Sequence, residues 1–335
     1  MSSTQPTVLV TGGAGYVGSA LVPKLLAAGW NVRVLDLYLF RPHVFADIAS
    51  HPGLTQIIGD IRDLPTVEKA LTGCEAIIHL ACISNDPSFE LDPALGRSIN
   101  YACFGPMVDA AKRAKVRRFI YASSSSVYGI KSELNVTEDL PLMPLTDYSK
   151  YKALCETILL EKRGRRRSFT PVIIRPATVC GYAPRQRLDV IVNILTNHAL
   201  VNRKIRVLGG AQTRPNIHID DMTDLYVHCL QVPAETIDCQ IFNAGYSNET
   251  VDSIANIVKH VVGKDVEIVS EPTDDIRSYH ISSKKLKDEL GFTPHRSIKS
   301  AVKDLVAAFA DKRIVNSMDD PSYYNIRMMQ RLLTV

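Results

Sequence analysis

The hydrophobic positions of this chain fall into short apolar runs that alternate with longer amphipathic stretches. The first run covers residues 7–11 and ends in glycines, and the stretch that follows, residues 15–28, has the length of a helix. Short, nearly continuous apolar runs are typical of strands buried on both faces of a sheet. The same pattern predicts strands at 31–37, 55–59, 76–80, 118–122 and 171–175 and helices at 64–71, 93–115 and 148–161.

This alternation predicts an α/β fold, a Rossmann-type doubly wound parallel sheet with helices on both faces. Beyond Pro176 the rhythm changes, which indicates a smaller C-terminal α/β substrate-binding lobe. We expect residues 1–175, completed by segments near 215–245, to form mainly the first lobe, and residues 176–335 to form mainly the second, interleaved with the first. The second part is predicted to contain polar loops at 184–188 and 209–215, helices at 189–199, 251–262, 284–290 and 298–309, a strand at 242–245, and a tail at 311–335 that packs on the body or on a partner subunit.

The composition is that of a soluble globular protein, with 46% hydrophobic and 22% charged residues and a formal net charge of +4. The densest basic run, residues 162–167, carries no interleaved aromatic residues, so we interpret it as a solvated loop rather than a nucleic-acid site. No apolar run approaches the ~20 residues that a membrane-spanning helix needs. The seven cysteines include no CxxC pair and no zinc-ligand spacing, so we expect reduced thiols, no metal site and a cytoplasmic location.

A glycine-rich turn follows the first strand and opens the first helix. Gly12 permits the tight turn, Gly15 lets the backbone approach a pyrophosphate, and Gly18 lets the helix pack close to the sheet. Asp36 ends the second strand about 20 residues after the last glycine, where a carboxylate accepts hydrogen bonds from an adenosine ribose. An acid there repels a 2′-phosphate, and no basic residue follows before Arg41. The pattern therefore predicts NAD rather than NADP as the cofactor.

Tyr148 and Lys152 lie four residues apart on a predicted helix, so they share one helix face. A lysine ammonium in that position stabilises a phenolate and lowers a tyrosine pKa that is normally about 10. A tyrosine tuned in this way is a general base for an alcohol near neutral pH. Alone, the pair is a weak signal, because tyrosine and lysine are common on solvated helix surfaces. Together with the dinucleotide pattern and the serines at 123–126, it predicts a site that oxidises an alcohol.

These motifs together resemble those of the extended short-chain dehydrogenase/reductase family. The resemblance covers roughly residues 7–310 and rests on GxxGxxG, Asp36, Asp60-Ile61, Leu80-Ala81-Cys82, the segment 123–129 and the Tyr148–Lys152 pair. Members of the family mostly act on nucleotide-linked sugars, as epimerases, dehydratases, decarboxylases and dehydrogenases. The resemblance therefore implies a nucleoside diphosphate sugar as the substrate.

The resemblance also implies a role for individual residues. Tyr148 takes the hydroxyl proton, Lys152 lowers the tyrosine pKa and holds the nicotinamide ribose, and Ser124 hydrogen-bonds the reacting oxygen. Cys82 replaces a more usual alanine. The implied cofactor-binding residues are Gly12, Gly15, Tyr16, Val17, Gly18, Asp36, Asp60, Ile61, Leu80, Ala81, Cys82, Asn100, Ser123, Tyr148, Lys152 and Pro176, and the implied substrate-binding residues are Ser84, Ser124, Thr178, Arg185, Arg187, Asn193, Arg214 and Arg277.

Ser125 and Ser126 occupy the positions where dehydratases of this family carry an Asp-Glu pair. A serine hydroxyl is a poor acid near neutral pH, which argues against dehydration. The resemblance then implies NAD-dependent oxidation at a sugar carbon, C4, with epimerisation as the outcome. Release of a ketosugar by a 4-dehydrogenase is the alternative, and residues 175–193 locally resemble bacterial GDP-heptose 4-dehydrogenases. An alternative of a different class is a non-catalytic dinucleotide sensor, which needs only the glycine turn.

The family resemblance further implies a homodimer. Family members commonly pair through the two helices that correspond here to residues 93–115 and 148–161. No nucleic-acid or membrane partner is expected. The apolar candidates for the dimer surface, for which burial in the core is the competing interpretation, are Met107, Ala110, Ala111, Ala153 and Ile158.

Overall fold

A computed structural model describes residues 5–131, 133, 135–164, 168–273, 278 and 280–334. The strands of these residues form three sheets. The apolar runs of the first half all lie in the largest of these sheets. In chain order the strands are β1 Thr7–Thr11, β2 Asn31–Asp36, β3 Leu54–Ile58, β4 Ala76–His79, β5 Arg118–Ala122, β6 Thr170–Pro176, β7 Thr178–Cys180, β8 Lys204–Leu208, β9 Thr213–His218, β10 Gln240–Ala244, β11 Ser247–Thr250 and β12 Glu267–Glu271.

The large sheet is parallel throughout and has the order β10-β6-β5-β4-β1-β2-β3. Strand β1 lies inside this sheet and is buried on both faces, and its Val10 pairs with Val34 on one side and Ile78 on the other. One apolar layer packs Leu21 of the first helix against this sheet, and a second layer packs Phe104 against the opposite face. The doubly wound α/β fold predicted from the alternation of strands and helices is therefore confirmed.

Helices cover both faces of this sheet and build most of the second lobe. The main ones, in chain order, are α1 Tyr16–Ala27, α2 Leu64–Leu71, α3 Asp86–Glu90, α4 Pro93–Arg97, α5 Phe104–Arg113, α6 Asp147–Arg163, α7 Ile191–Asn202, α8 Ile219–Gln231, α9 Ala234–Ile237, α10 Val251–Val262, α11 Lys284–Leu290, α12 Ile298–Ala310 and α13 Asn325–Leu333. Short 3-10 turns lie at Ala46–Ile48, Ser125–Tyr128 and Pro321–Tyr323.

The two smaller sheets belong to the later part of the chain. Strand β9 lies between β7, with which it is parallel, and β11, with which it is antiparallel. Strands β8 and β12 form a parallel pair. A separate apolar cluster joins α7, α10 and α12 around Val192, Ile254 and Val302. These elements form the second wall of the cleft that opens above the large sheet.

The stretch predicted as helical at 93–115 is helical from Pro93 to Arg113, but a π-helical turn interrupts its α-helical pattern. Helix α4 passes into a π-helical turn, Ser98–Ala102, before α5 begins. At this turn the Asn100 side chain accepts a hydrogen bond from the Ile83 N–H (2.8 Å) and donates one to the Ile83 carbonyl (2.9 Å). The Cys155 thiol donates to the Asn100 carbonyl (3.2 Å). Such π-turns take a carbonyl out of the regular helical ladder, and here the carbonyl bonds to α6 instead.

The prediction of a polar loop at 209–215 is wrong for its second half, which forms a strand. Helix α8 was not predicted. Strand β9 begins at Thr213 and includes Pro215, a residue that normally argues against a central strand. Helix α8 packs Met222, Leu225 and Tyr226 against the large sheet. Its apolar positions do have helical spacing, but the two aspartates of its first turn and the buried polar Thr223 obscure the pattern.

The C-terminal tail packs on the body of the same chain. Tyr323 is fully buried, and its carbonyl accepts a hydrogen bond from the Leu188 N–H (2.8 Å). Helix α13 continues onto α3, where Met329 packs with Ile83 and Phe89. Among the described helices none is long and apolar enough to cross a membrane. All seven cysteines are free thiols.

Candidate active site

A cavity of about 720 Å³ opens at the carboxyl ends of the parallel strands, between the two lobes. Ligands of open α/β sheets bind at this edge. Most residues that the sequence singles out converge here. Those that line the cavity are Gly12, Gly15, Tyr16, Val17, Gly18, Asp36, Asp60, Ile61, Leu80, Ala81, Cys82, Ser84, Ser123, Ser124, Tyr148, Lys152, Pro176, Thr178, Arg185, Arg187 and Arg214.

The glycine turn between β1 and α1 is packed too tightly for any side chain. Gly12 has a positive φ of 72°, and a Cβ there would lie 2.5 Å from the Ala81 nitrogen. A Cβ at Gly18 would lie 2.4 Å from the Gly13 carbonyl oxygen. Gly15 is the N-cap of α1 and supplies no capping side chain, so the first-turn N–H groups point to the cavity. The turn therefore fits the pyrophosphate of a dinucleotide.

Asp36 stands at the end of β2, beside this turn. Its Oδ2 accepts a hydrogen bond from the Ala14 N–H (3.0 Å) and its Oδ1 accepts one from the Tyr38 N–H (2.8 Å). Burial raises the pKa of this carboxyl, and the backbone hydrogen bonds oppose that shift. Each carboxylate oxygen has a second lone pair, so Asp36 can fix the glycine turn and still accept ribose hydroxyls.

We expect Asp36→Ala to weaken NAD binding by ten- to a hundredfold, the loss of about 1.5–3 kcal/mol from a charged acceptor. The variant should also discriminate less against NADP, because the acid that repels a 2′-phosphate is gone. Titration calorimetry with both dinucleotides measures each effect. Asp36→Asn, which keeps one acceptor for the turn, separates charge from local structure. Equal affinity of the unmodified protein for NAD and NADP would contradict the assignment.

The serine, tyrosine and lysine come together on the opposite side of the cavity. Ser124 follows β5 and caps a 3-10 turn: its Oγ accepts a hydrogen bond from the Ser126 N–H (3.1 Å). Helix α6 begins at a capping box formed by Thr146 and Ser149, which places Tyr148 in its first turn. Tyr148 and Ser124 both line the cavity, and Ser124 lowers the pKa of Tyr148. The Lys152 ammonium lies 5.9 Å from the Tyr148 ring centroid.

In the structure the strongest influences on the Tyr148 pKa come from groups other than Lys152, and the role of Lys152 in lowering that pKa stays a prediction. Burial, and next the neighbouring Cys82, raise the pKa of Tyr148 well above its ordinary value. The group that most lowers this pKa is Arg187, followed by Ser124. The Lys152 Nζ instead donates a hydrogen bond to the Ala122 carbonyl (2.7 Å) at the end of β5. Arg187 therefore opposes the effect of burial on the Tyr148 pKa more than any other charged group named here.

A buried ion pair supports the catalytic side from below. Glu156, one turn after Lys152 on α6, accepts two hydrogen bonds from the Arg175 Nε (3.0 and 3.2 Å) and one from its Nη2 (2.6 Å). Ser123 Oγ donates to the same carboxylate. Arg175 Nη1 also donates to the Tyr128 hydroxyl (2.7 Å) at the end of the 3-10 turn. The pair therefore connects β6, α6 and the turn that carries Ser124.

Arg185 lies beside α1 and Phe40, on the side of the cavity where the cofactor is predicted to bind. Its backbone N–H donates to Ser19 Oγ on α1 (3.0 Å), and its guanidinium carbon lies 3.7 Å from the Phe40 ring centroid. Its charge lowers the pKa of Asp36. The buried Nε has no hydrogen-bond partner within the described residues. Burial, and next Arg187, lower the pKa of Arg185 itself, so an anion placed beside it would be stabilised.

Asn193 and Asn100 lie behind the cavity wall, not on it. Asn193 is fully buried; its Oδ1 accepts from the Gly181 N–H (3.0 Å), and its Nδ2 donates to the Arg187 carbonyl (2.8 Å) and the Tyr16 hydroxyl (3.1 Å). Asn100 holds the backbone of Ile83, as described above. The predicted contacts of Asn193 with substrate and of Asn100 with cofactor are therefore wrong. Both side chains instead hold the backbone of the loops that form the cavity wall.

The other predicted substrate-binding residues within the described chain lie on the cavity wall. Thr178 and Arg214 line the cavity from β7 and β9. Arg187 Nη1 donates to Ser84 Oγ (3.0 Å). Arg277 lies outside the described residues.

Sequence reasoning missed several residues that line the cavity. Asp189 accepts a hydrogen bond from Arg187 Nε (2.5 Å). Its position two residues after that arginine could have suggested this pairing from the sequence. Asp86, whose Oδ1 accepts from Thr146 Oγ1 (2.6 Å), raises the pKa of Tyr148. Asn325 and Met329 come from the C-terminal helix. No motif marks that helix as part of a site.

One group of potential metal ligands lies away from this cavity. His218, Asp220 and Asp304 approach within 4.8 Å of one another. His218 Nδ1 accepts a hydrogen bond from the Asp220 N–H (3.1 Å), and its Nε2 lies 3.0 Å from Asp304 Oδ2. Nδ1 therefore caps α8 and Nε2 contacts Asp304 on α12, in agreement with the interpretation of His218 as a packed histidine.

Comparison with known proteins places the chain in a family. Residues 8–245 match the family described as the NAD dependent epimerase/dehydratase family. Over 217 residues the chain is 35% identical to an uncharacterized protein of Sinorhizobium fredii, a match that covers 64% of this chain and 51% of that protein. It is 29% identical to a UDP-glucose 4-epimerase of Lactobacillus helveticus, over 88% of this chain and 94% of the relative. It is 26% identical to a dTDP-glucose 4,6-dehydratase of Streptomyces niveus, over 91% and 93%.

Solved structures have the same fold. A UDP-glucuronic acid 4-epimerase from Bacillus cereus, crystallised with UDP-glucuronic acid and NAD, superposes with a TM-score of 0.82 at 24% identity. The match covers 91% of this chain and 99% of that one. At this identity the likeness concerns the fold alone. The family match, the glycine turn and the Ser124–Tyr148–Lys152 arrangement agree, and the chain therefore belongs to the NAD-dependent epimerase/dehydratase family of extended short-chain dehydrogenase/reductases.

Proposed function

We propose that this protein is an NAD-dependent 4-epimerase of a nucleoside diphosphate sugar. The observation that carries the proposal is the convergence of Ser124, Tyr148 and Lys152 with the glycine turn and Asp36 in one cavity. The nearly full-length relatives that the chain matches are enzymes acting on nucleotide-linked glucose. Such a step would belong to carbohydrate biosynthesis in the cytoplasm, where free thiols persist.

The residues divide the chemistry between them. Tyr148 accepts the proton of the C4 hydroxyl, while Ser124 hydrogen-bonds the reacting oxygen. Lys152 holds the nicotinamide ribose, the glycine turn and Asp36 hold the adenosine part, and Arg185 Nε donates to a cofactor phosphate. NAD, when bound, accepts the hydride from C4 and returns it. Since epimerisation returns the hydride to the other face of the ketone, the reaction needs no net oxidant.

Binding of the nucleotide diphosphate falls to the second lobe. Arg214 on β9 and Arg277 are proposed to contact the diphosphate, because guanidinium forks suit phosphate oxygens. Thr178, Ser84 and Arg187 are proposed to contact the sugar, on the side of the cavity that faces Tyr148. In this division residues 1–175 with the segments near 215–245 mainly serve the cofactor, and residues 176–335 mainly serve the substrate.

Dehydration is disfavoured, although dehydratases are among the relatives. Ser126 Oγ lies 2.8 Å from Ser124 Oγ, and Ser125 is buried, so neither position supplies a carboxyl group. Among the described carboxyls of the catalytic side, Asp189 is paired with Arg187 and Asp86 accepts from Thr146. Each of these carboxyls therefore already serves a neighbouring side chain.

Incubation with a panel of UDP-, dTDP-, GDP- and ADP-sugars and NAD tests the proposal through product mass. An epimer keeps the substrate mass, whereas a ketosugar is lighter by two hydrogens and a dehydrated product is lighter by one water. We expect a product of unchanged mass, identified as the C4 epimer by proton NMR, and no lasting absorbance at 340 nm. Accumulation of the two-hydrogen product with NADH would favour the 4-dehydrogenase. Steady loss of water would reject the assignment.

A dinucleotide sensor remains the proposal of a different class. It would bind NAD without turning over any sugar nucleotide. A sensor needs only the glycine turn to bind NAD. The presence of Ser124, Tyr148 and Lys152 in one cavity therefore argues against a sensor. Saturable NAD binding without any conversion across the panel would favour the sensor.

We also propose a homodimer formed through α5 and α6. Met107, Ala110 and Ala111 are buried within the chain itself, so they do not supply that surface. Ala153 and Ile158 are partly buried; the exposed Leu154 lies beside Ala153 on the same helix. We expect light scattering at micromolar concentration to give about twice the 37.1 kDa of one chain. A particle of single-chain mass would contradict the dimer.

A further inference from the structure

The C-terminal helix α13 forms one wall of the cavity, although it lies beyond the segment that matches the family. Four of its residues line the cavity: Asn325, Met329, Leu332 and Leu333. Their spacing places them on one face of the helix. Met329 is buried against Ile83, whereas Leu332 and Leu333 remain 39% and 43% exposed. The helix therefore presents one continuous face to the active site.

Asn325 closes a ring of hydrogen bonds at the start of this helix. Its backbone N–H donates to Asp189 Oδ2 (2.7 Å), and Asp189 Oδ1 accepts from Arg187 Nε (2.5 Å). Arg187 Nη1 donates to Ser84 Oγ (3.0 Å), and the Asn325 Nδ2 donates to the Ser84 carbonyl (3.4 Å). Asn325 Oδ1 also accepts from Arg185 Nη2 (2.6 Å). One asparagine thus holds both arginines of the loop between β7 and α7.

This ring determines which charges face the catalytic tyrosine. The titratable groups around Tyr148 are Cys82 after β4, Asp86 on α3, Lys152 on α6, Tyr121 on β5 and Arg187. Of these, Cys82 and Asp86 raise the pKa of Tyr148 and Arg187 lowers it. A displaced Arg187 would leave the raising groups in place. The effect of Arg187 on the Tyr148 pKa therefore depends on where its guanidinium is held.

We propose that Asn325 is a positioning residue of the active site, which holds Arg187 beside Tyr148 through Asp189 and Ser84. The C-terminal helix is then part of the catalytic apparatus and not merely a packed tail. The inference deepens the proposed function and rests on it for its kinetic consequence. The clamp on the loop at 184–188 does not depend on which sugar is bound, so it can be tested on the protein alone.

The test uses Asn325→Ala, which removes the side-chain bonds to Ser84 and Arg185, and Met329→Gln, a neutral polar substitution that weakens the packing of the helix on Ile83 and Phe89. Gln330→Ala is the matched control, an exposed amide on the same helix outside the cavity. Hydrogen exchange of the full-length proteins, followed by mass spectrometry, gives the first readout. We expect peptides spanning 184–191 to exchange about tenfold faster in both variants and unchanged in the control.

The second readout is the pH dependence of kcat with the sugar nucleotide turned over in the panel. Activity rises with pH as the base loses its proton, so a raised tyrosine pKa moves the acid limb to higher pH. We expect a shift of about half a unit in Asn325→Ala and about one unit in Met329→Gln. Neither variant should shift the limb further in an Arg187→Gln background, because the charge that it positions is already absent.

The two proposals fail in different ways. If no sugar nucleotide is converted, the proposed function is lost, and the exchange data still decide the clamp. Unchanged exchange at 184–191 in both variants would overturn the clamp. A lower kcat with an unshifted acid limb would also overturn it, because that result indicates a structural role only.

Discussion

Replacement of Tyr148 by phenylalanine is expected to lower kcat at least a hundredfold while NAD stays bound. The substitution removes only the hydroxyl that accepts the substrate proton, and general base catalysis contributes roughly a hundred- to ten-thousandfold. A hundredfold loss corresponds to about 2.7 kcal/mol of transition-state stabilisation. Steady-state kinetics gives kcat, and calorimetry with NAD gives the cofactor affinity.

Tyr151→Phe is the matched control for this prediction. Tyr151 lies three residues further along α6, where its ring stacks on Tyr101 at 5.1 Å, outside the cavity lining. We expect its kcat to stay within about twofold of the unmodified protein, less than 0.5 kcal/mol. If Tyr148→Phe retains more than about a tenth of the activity, it supplies less than ~1.4 kcal/mol and the base assignment is wrong.

Glu156→Ala is expected to lower the free energy of unfolding by about 3–5 kcal/mol. The carboxylate and its partner Arg175 are only 4% and 3% exposed, so the substitution leaves an uncompensated buried guanidinium. It also removes the acceptor of Ser123 Oγ next to the catalytic serine. We therefore expect activity to fall together with stability.

Urea unfolding measures this loss against an exposed pair. Glu68 forms an ion pair with Arg113 in which both side chains are about half exposed. Because exposed pairs are worth little, Glu68→Ala should cost no more than about 1 kcal/mol. Similar unfolding midpoints and slopes for the two variants would contradict a structural role for the buried pair.

The first half of the fold was predictable because each local signal agreed with the next. Strand β1, the glycine turn and α1 follow one another as the pattern requires, and apolar runs mark the other strands. The second half was harder to predict, because it depends on partners far away in the chain. Strand β9 contains Pro215, and the π-turn at Ser98–Ala102 is fixed by contacts of Asn100 with Ile83 and Cys155. Neither partner is visible from local spacing.

The site shows the same division. Motif spacing identified Ser124, Tyr148 and Lys152, all of which line one cavity. It did not show that Arg185 faces the predicted cofactor side, because that depends on Ser19 and Phe40 in another lobe. It did not show that a helix near the end of the chain reaches the cavity. Motif spacing identifies site residues that lie close together in the sequence. Residues that tertiary packing brings to the cavity from distant segments leave no such pattern.

Strand β10 has a consequence for how the protein is made on the ribosome. The large sheet lacks its edge strand until Gln240–Ala244 has been synthesised, although β6 ends at Pro176. Asn243 in this strand accepts a hydrogen bond from the Tyr128 hydroxyl (2.7 Å), next to the serine turn. A nascent chain in which β6 has emerged and β10 has not therefore has an open sheet edge, and its Tyr128 lacks the bond to Asn243. The large sheet is completed only after part of the later half of the chain has emerged, so the two halves cannot be exchanged between relatives as separate blocks.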